Sequence, residues 1–217
     1  MSYDFAIVTP EAAGKDEGAA LAAAVAIFEG DGTAGEVDPR VRVFLEGLEA
    51  AGAAHEEAGW VSVWPLRAEP QGLAVPTTYA DVDSNLVTLL RLAAREGLVV
   101  VDLSSEKVDY PSEGTPVGVK AGDGTRLGAL SKERLSSLLN HLPPSDPWIV
   151  LEHDAEVYAQ ALRRGDGSFV VEYRDGGPGA HFGTTVSDER AVLDLLWKWV
   201  EGDPSWKHGA SWTKVEF

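Results

Sequence analysis

Glu152-His153-Asp154 is the triplet most able to do chemistry in this chain. A histidine between two carboxylates can serve as a general base or as a metal ligand. Alternate residues of a strand point to opposite faces, so on a strand Glu152 and Asp154 share one face and His153 looks away from both. His181 is the other histidine expected on a neighbouring strand, and no HxH or HExxH spacing accompanies either. A hydrolase built on His153, His181 and nearby carboxylates is therefore an alternative and not the leading reading. The GxSxG turn that exposes a nucleophilic serine is absent, as is the P-loop pattern. Gly30-Asp-Gly-Thr-Ala-Gly35 lacks the lysine and the glycine order of a phosphate cradle, and Asp31, Thr33 and Glu36 do not match a calcium loop. With no cysteine, thiolate metal sites, Fe–S clusters, disulfides and cysteine nucleophiles are excluded. No catalytic residue, metal or cofactor is expected.

Charge is the more informative property. The chain carries 35 acidic and 18 basic residues, a formal charge of −17. Residues 1–130 hold 21 of the acids against 9 bases, and residues 131–217 hold 14 against 9. A negative field of this size repels nucleic acid and anionic membrane and steers a basic partner inward. No apolar run approaches the length that spans a bilayer, and MSYDFAIVTPE lacks the basic and apolar regions of a secretory leader, so a cytoplasmic location is expected.

The pattern of elements predicts an α+β chain of two small domains with a segment between them. A strand at 3–9 precedes an Ala-rich helix at 17–29, whose Leu21, Val25 and Phe28 recur at helical spacing. Asp38-Pro39 starts a second helix with Val41, Phe44, Leu45 and Leu48 on one stripe. Strands at 60–66 and 73–79 read as a hairpin. Asp81 or Asp83 caps the next helix, Gly97 ends it, and the apolar run 98–103 is a buried strand. This β-α-α-β-β-α-β order matches a split βαβ, ferredoxin-like domain over 1–104, with one helical leg broken in two. The Gly- and Pro-rich stretch 105–130 reads as the connecting segment, with a strand at 117–120. Over 131–217, a helix capped by Ser131, strands at 148–153, 157–163, 169–173 and 181–186, a helix capped by Ser187 or Asp188 and a last strand at 212–217 read as an antiparallel meander with flanking helices.

The second domain holds Tyr158-Ala-Gln160, Phe169-Val-Val-Glu-Tyr-Arg-Asp-Gly-Gly177, His181-Phe182 with Thr184-Thr-Val186, and then Trp199, Trp206 and Trp212. This stretch resembles the small α+β immunity proteins of bacterial polymorphic toxin systems. Met1-Ser-Tyr-Asp4 and Gly97-Leu-Val-Val-Val-Asp102 look like uncharacterised actinobacterial proteins. The resemblance implies a non-catalytic antitoxin-like binder that covers the active site of a cognate toxin, such as a nuclease or nucleic-acid deaminase with a basic groove. An acidic surface suits such a groove as a mimic of the phosphate backbone. The candidate partner-binding residues are Asp31, Glu36, Asp38, Glu56, Glu57, Asp81, Asp83, Glu106 and Asp109 in loops or helix starts, with Glu172, Asp175 and the aromatic anchor Trp206 in the second domain. A structural or adaptor protein without a toxin partner is the other alternative.

Overall fold

Phe5, Ala6, Ile7 and Val8 are all fully buried, so the first strand is covered on both faces. The computed structural model describes residues 2–30, 35–54 and 59–216. It divides into two units, Met1–Ser112 and Glu113–Phe217. Both combine helices with antiparallel sheet, the α+β class expected.

In the first unit the elements run β1 (Tyr3–Val8), α1 (Pro10–Ala13), α2 (Glu17–Glu29), α3 (Pro39–Ala50), β2 (Ala68–Glu69), β3 (Gly72–Thr77), α4 (Val82–Glu96), β4 (Val99–Asp102) and β5 (Lys107–Asp109). The sheet order is β2-β3-β1-β4-β5, with every pairing antiparallel. Phe5, Ile7, Leu73, Val75 and Val100 face one way and meet Val41, Phe44 and Leu48 of α3 and Leu89, Leu90 and Leu92 of α4. Ala6, Val8, Val99 and Val101 face the other way and meet Ala13 of α1 and Ala20, Ala24 and Ile27 of α2. The expected single broken leg is thus two separate helices, α2 and α3, on opposite faces of the sheet.

The residues of α2 that face inward also differ from expectation. Its spacing favours Leu21, Val25 and Phe28 as the buried stripe, yet Ala20, Ala24 and Ile27 are buried while Val25 and Phe28 are each 43% exposed. The sheet beneath explains this. Gly72 sits so close to α2 that an added Cβ would lie 2.6 Å from Ile27 Cδ1 and 2.1 Å from the Ile7 carbonyl oxygen. Gly72 below and Ala20 and Ala24 above allow that approach, with Ile27 packed over Gly72, while Val25 and Phe28 turn outward.

The expected strand at 60–66 is not formed. One bridge links Val61 to Thr77, and the hairpin partner of β3 is the two-residue β2 instead. The expected connecting segment is likewise distributed between the units. Lys107–Asp109 closes the edge of the first sheet, and β6 (Thr115–Ala121) and β7 (Arg126–Leu130) belong to the second. Val117, Val119 and Ala121 alternate inward at full burial, a period-two signal made faint by small residues and glycines.

The second unit continues with α5 (Lys132–Asn140), β8 (Trp148–Asp154), β9 (Val157–Arg163), β10 (Phe169–Asp175), β11 (His181–Val186), α6 (Glu189–Val200) and β12 (Thr213–Lys214). The seven strands lie in the order β12-β11-β10-β9-β8-β6-β7. Leu135, Leu138 and Leu139 of α5 and Val192, Leu195, Leu196 and Trp199 of α6 cover one face, over Ile149, Leu151, Phe169 and Val171. Among the described residues of this unit, no helix packs on the other face.

Candidate partner interface

The register of the first sheet decides which acidic residues meet. Tyr3 lies opposite Thr77, and Phe5 lies opposite Asp102, so the start of β1, the end of β3 and the end of β4 share one end of the sheet. The segments that leave from this end are 78–81, leading to α4, and 103–106, leading to β5. They gather Asp4, Asp81, Asp83, Asp102 and Glu106, and Lys107, opposite Asp102 at the start of β5, is the basic residue that adjoins them.

Asp102 holds this end together. Its Oδ2 accepts from the Tyr3 hydroxyl at 2.8 Å and the Ser105 hydroxyl at 2.7 Å, and its Oδ1 accepts from the Ser104 and Ser105 amides at 2.9 and 3.0 Å. The Leu103 amide donates to the Asp4 carbonyl, and the Asp4 amide donates to Ser104 Oγ. Burial, with the bond to Asp102, pushes the Tyr3 hydroxyl pKa up. Asp81 accepts from the Ser84 amide as the cap of α4. Two acidic residues here occupy left-handed backbone, Asp81 at φ 51° and Glu106 at φ 57°. Aspartate is commonly found there, whereas glutamate is not, and such strain recurs at functional sites. Tyr79 is 59% exposed, with its ring edge-on to Tyr3 at 5.9 Å between centroids.

Asp109, also expected among the partner-binding residues, lies further along the sheet, half-buried opposite Val100 and level with Ile7. Burial holds its carboxyl above the usual carboxylate range; Lys107 opposes that shift and Asp102 adds to it. The folded state therefore binds this proton more tightly than the unfolded chain, and stability falls as pH rises from the unfolded carboxylate range through the folded pKa. Asp109→Asn is therefore expected to stabilise the protein at pH 7. Melting temperatures should show this gain at pH 7 and lose it in acid, where Asp109 is protonated in both states. An equal gain at both pH values would mean that ionisation of Asp109 is not the cause.

The other expected residues lie elsewhere. Asp38 and Glu36 belong to the opposite end of the first sheet, where the Asp38 amide donates to the Pro70 carbonyl. There Arg40 joins Asp38 and Glu11 at 2.7 Å each, holding both carboxyls below their ordinary values, and Arg42 joins Glu36 at 3.1 Å. Asp31, Glu56 and Glu57 lie outside the described residues. Trp206 is not an exposed anchor. It is 7% exposed, wedged edge-on to Tyr173 and Trp212. Asp175 pairs with Lys207 at 3.1 Å. Sequence reasoning missed Tyr3, Asp4, Tyr79 and Asp102 as neighbours of the acidic loops. The signal lay in pairing register, which local pattern does not give.

Glu172 lies on the uncovered face of the second sheet, where its Oε2 accepts from Gln160 Nε2 at 2.7 Å and sits 3.2 Å from His181 Nε2. The same face has a depression of about 250 Å³ lined by Trp148, Val150, Leu162 and Val170 beside Gln160 and Glu172. His153 occupies the opposite face, stacked on Trp199 at 4.3 Å between centroids. The sheet thus separates His153 from His181, and the two cannot share one hydrolytic centre. Glu152 points away from His153 to Lys120, 2.7 Å distant, as strand alternation requires.

Among the described residues, no group of three or more His, Cys, Asp or Glu is placed to hold a metal ion, and no helix is long and apolar enough to cross a membrane. Comparison with family models, curated proteins and solved structures finds no match to this chain.

Proposed function

We propose that this chain is a non-catalytic, cytoplasmic immunity-type protein that binds and neutralises a cognate bacterial toxin. The toxin would be a nuclease or nucleic-acid deaminase whose basic groove the protein covers. The observation that supports this reading is the acidic end of the first sheet, where Glu106, Asp81 and Asp83 are exposed around a protruding Tyr79. Carboxylates spaced over such an end offer a basic groove the charges of a phosphate backbone, and a half-exposed tyrosine supplies an amphipathic anchor at their centre. The first unit holds 19 acidic and 7 basic residues over 1–112, so its field steers a cationic surface toward that end.

The test is growth of cells that express the protein encoded beside this gene, with and without this chain. Rescue from toxicity together with a stable co-purifying complex is the expected result. Absence of both toxicity and complex would overturn the reading.

A further inference from the structure

We propose that the uncovered face of the second sheet binds a small organic cation with a flat apolar body. The register of β8, β9 and β10 sets two rows of outward side chains next to each other. One row is Trp148, Leu162 and Val170, and the other is Val150, Gln160 and Glu172. The solvent face of an antiparallel sheet ordinarily turns polar side chains to water. Here four of the six are apolar, Leu162 is 43% exposed, and the six line the depression of about 250 Å³. Two strand spacings make each row about 10 Å long, and the volume is that of roughly eight waters. One aromatic ring with one polar substituent fills such a space.

The polar lining selects the sign of the ligand. Glu172 Oε2 accepts from Gln160 Nε2 at 2.7 Å and lies 3.2 Å from Nε2 of the buried His181 ring. These two contacts hold the carboxylate in place by one oxygen. A carboxylate only accepts, so Gln160 gives its amide N–H to Glu172 and keeps its carbonyl Oε1 as an acceptor. Among the described residues, neither Glu172 Oε1 nor Gln160 Oε1 takes a hydrogen bond. The charges that flank the two rows are matched within the protein: Lys120 pairs with Glu152 at 2.7 Å and Arg174 with Glu156 at 2.9 Å. No lysine or arginine pairs with Glu172 among the described residues. The depression therefore presents one carboxylate and one amide carbonyl beside an apolar row. An amidinium or ammonium group donates to that carboxylate, and its ring lies along Trp148, Leu162 and Val170. An anion meets repulsion from Glu172, and a neutral amide leaves its charge unmatched. Because the carboxylate is already held, binding costs little further ordering. This site lies within the second unit, shares no residue with the acidic end of the first sheet and does not depend on a toxin partner.

The probe is benzamidine, titrated into the isotope-labelled full chain and followed by two-dimensional NMR. Its neutral isostere benzamide and the anion benzoate are the controls. Benzamidine is expected to shift the Trp148 indole N–H and the backbone amides of residues 148–150, 160–162 and 170–172 saturably, with a Kd below about 1 mM. Benzamide and benzoate should bind at least about tenfold more weakly. Glu172→Gln keeps the shape of the side chain and an acceptor for Gln160, and it should weaken benzamidine by at least about tenfold. Leu162→Lys sets an ammonium over the depression and should do the same. Glu106→Lys in the first unit should change the affinity less than about twofold, which separates this site from the general attraction of a cation to an acidic chain. Glu172 and Leu162 both face away from the core of the sheet, so circular dichroism should show both variants folded like the parent. The proposal is overturned by the absence of saturable shifts at these residues, by benzamide binding as tightly as benzamidine, or by an affinity that Glu172→Gln leaves unchanged. Shifts centred on the acidic end of the first sheet and abolished by Glu106→Lys would overturn it as well, since they would show attraction to net charge alone.

Discussion

Trp206→Ala is expected to destabilise the protein by about 3–5 kcal/mol. The residue lies in the 3-10 turn Pro204–His208, which Asp203 caps through the Ser205 amide at 2.9 Å. Its ring meets Tyr173 at 4.6 Å and Trp212 at 5.6 Å, both edge-on, and Tyr173 meets Trp212 at 4.8 Å at right angles. Three mutually perpendicular rings form a unit in which each closes the space beside the other two. Edge-on pairs add about 0.5–1.5 kcal/mol each beyond the area they bury. The Lys207 ammonium lies 5.4 Å from the Trp206 ring, and the Trp212 indole N–H donates to the Lys207 carbonyl at 3.0 Å, so the turn is fastened to the chain that follows it. Alanine leaves a cavity that rigid neighbours cannot fill. Against a net stability of typically 5–15 kcal/mol, the loss should move the urea midpoint strongly. A shift worth less than about 1 kcal/mol would contradict this packing and return Trp206 to the role of a surface anchor.

Local chemistry made much of the fold legible. Asp38-Pro39 and Ser131 were readable as helix starts, and Asp81 or Asp83 and Ser187 or Asp188 as the other two, because capping depends on residues within one turn; the side chains of Asp38, Asp81, Ser131 and Asp188 each accept from an amide two or three residues on. The meander from 148 to 186 was readable because β-forming segments recur at short spacing, the last three separated by glycine turns at 165–167 and 176–179. The failures share one cause, namely packing distance. In α2 the helical spacing of Leu21, Val25 and Phe28 marks a stripe, but the close approach at Gly72 decides which stripe is buried. In 115–130 the inward positions are filled by valine, alanine and leucine among glycines, so the strands resemble a loop until their partners are known. The candidate interface was half legible. Asp81, Asp83 and Glu106 stand out as acids near turns, but only the pairing of residue 3 with 77 and of residue 5 with 102 puts them together, adds Tyr79 and leaves Asp109 further along the sheet.

If the acidic end binds a basic groove, Tyr79→Ala combined with Glu106→Lys should weaken the complex by about 100-fold or more. Exposed tyrosines at the centre of an interface commonly contribute 2 kcal/mol or more, and each rim charge acts chiefly on the association rate. The two substitutions therefore have separable signatures. Tyr79→Ala should raise the dissociation rate with little change in salt dependence. Glu106→Lys should slow association at low ionic strength and flatten its dependence on salt, because it replaces an attraction by a repulsion. Neither should unfold the protein, since Tyr79 is 59% exposed and Glu106 lies in an exposed turn. Glu106→Gly supplies the internal control. It removes the same charge while relieving the left-handed backbone at φ 57°, so it should weaken binding and yet raise stability by up to about 1 kcal/mol. Opposite signs for binding and stability at one residue would mean that the strained glutamate is kept for the partner and not for the fold. Surface plasmon resonance at two salt concentrations, with thermal denaturation of the same variants, measures both. Unchanged association across Glu106→Lys and Glu106→Gly would remove the acidic end from the interface.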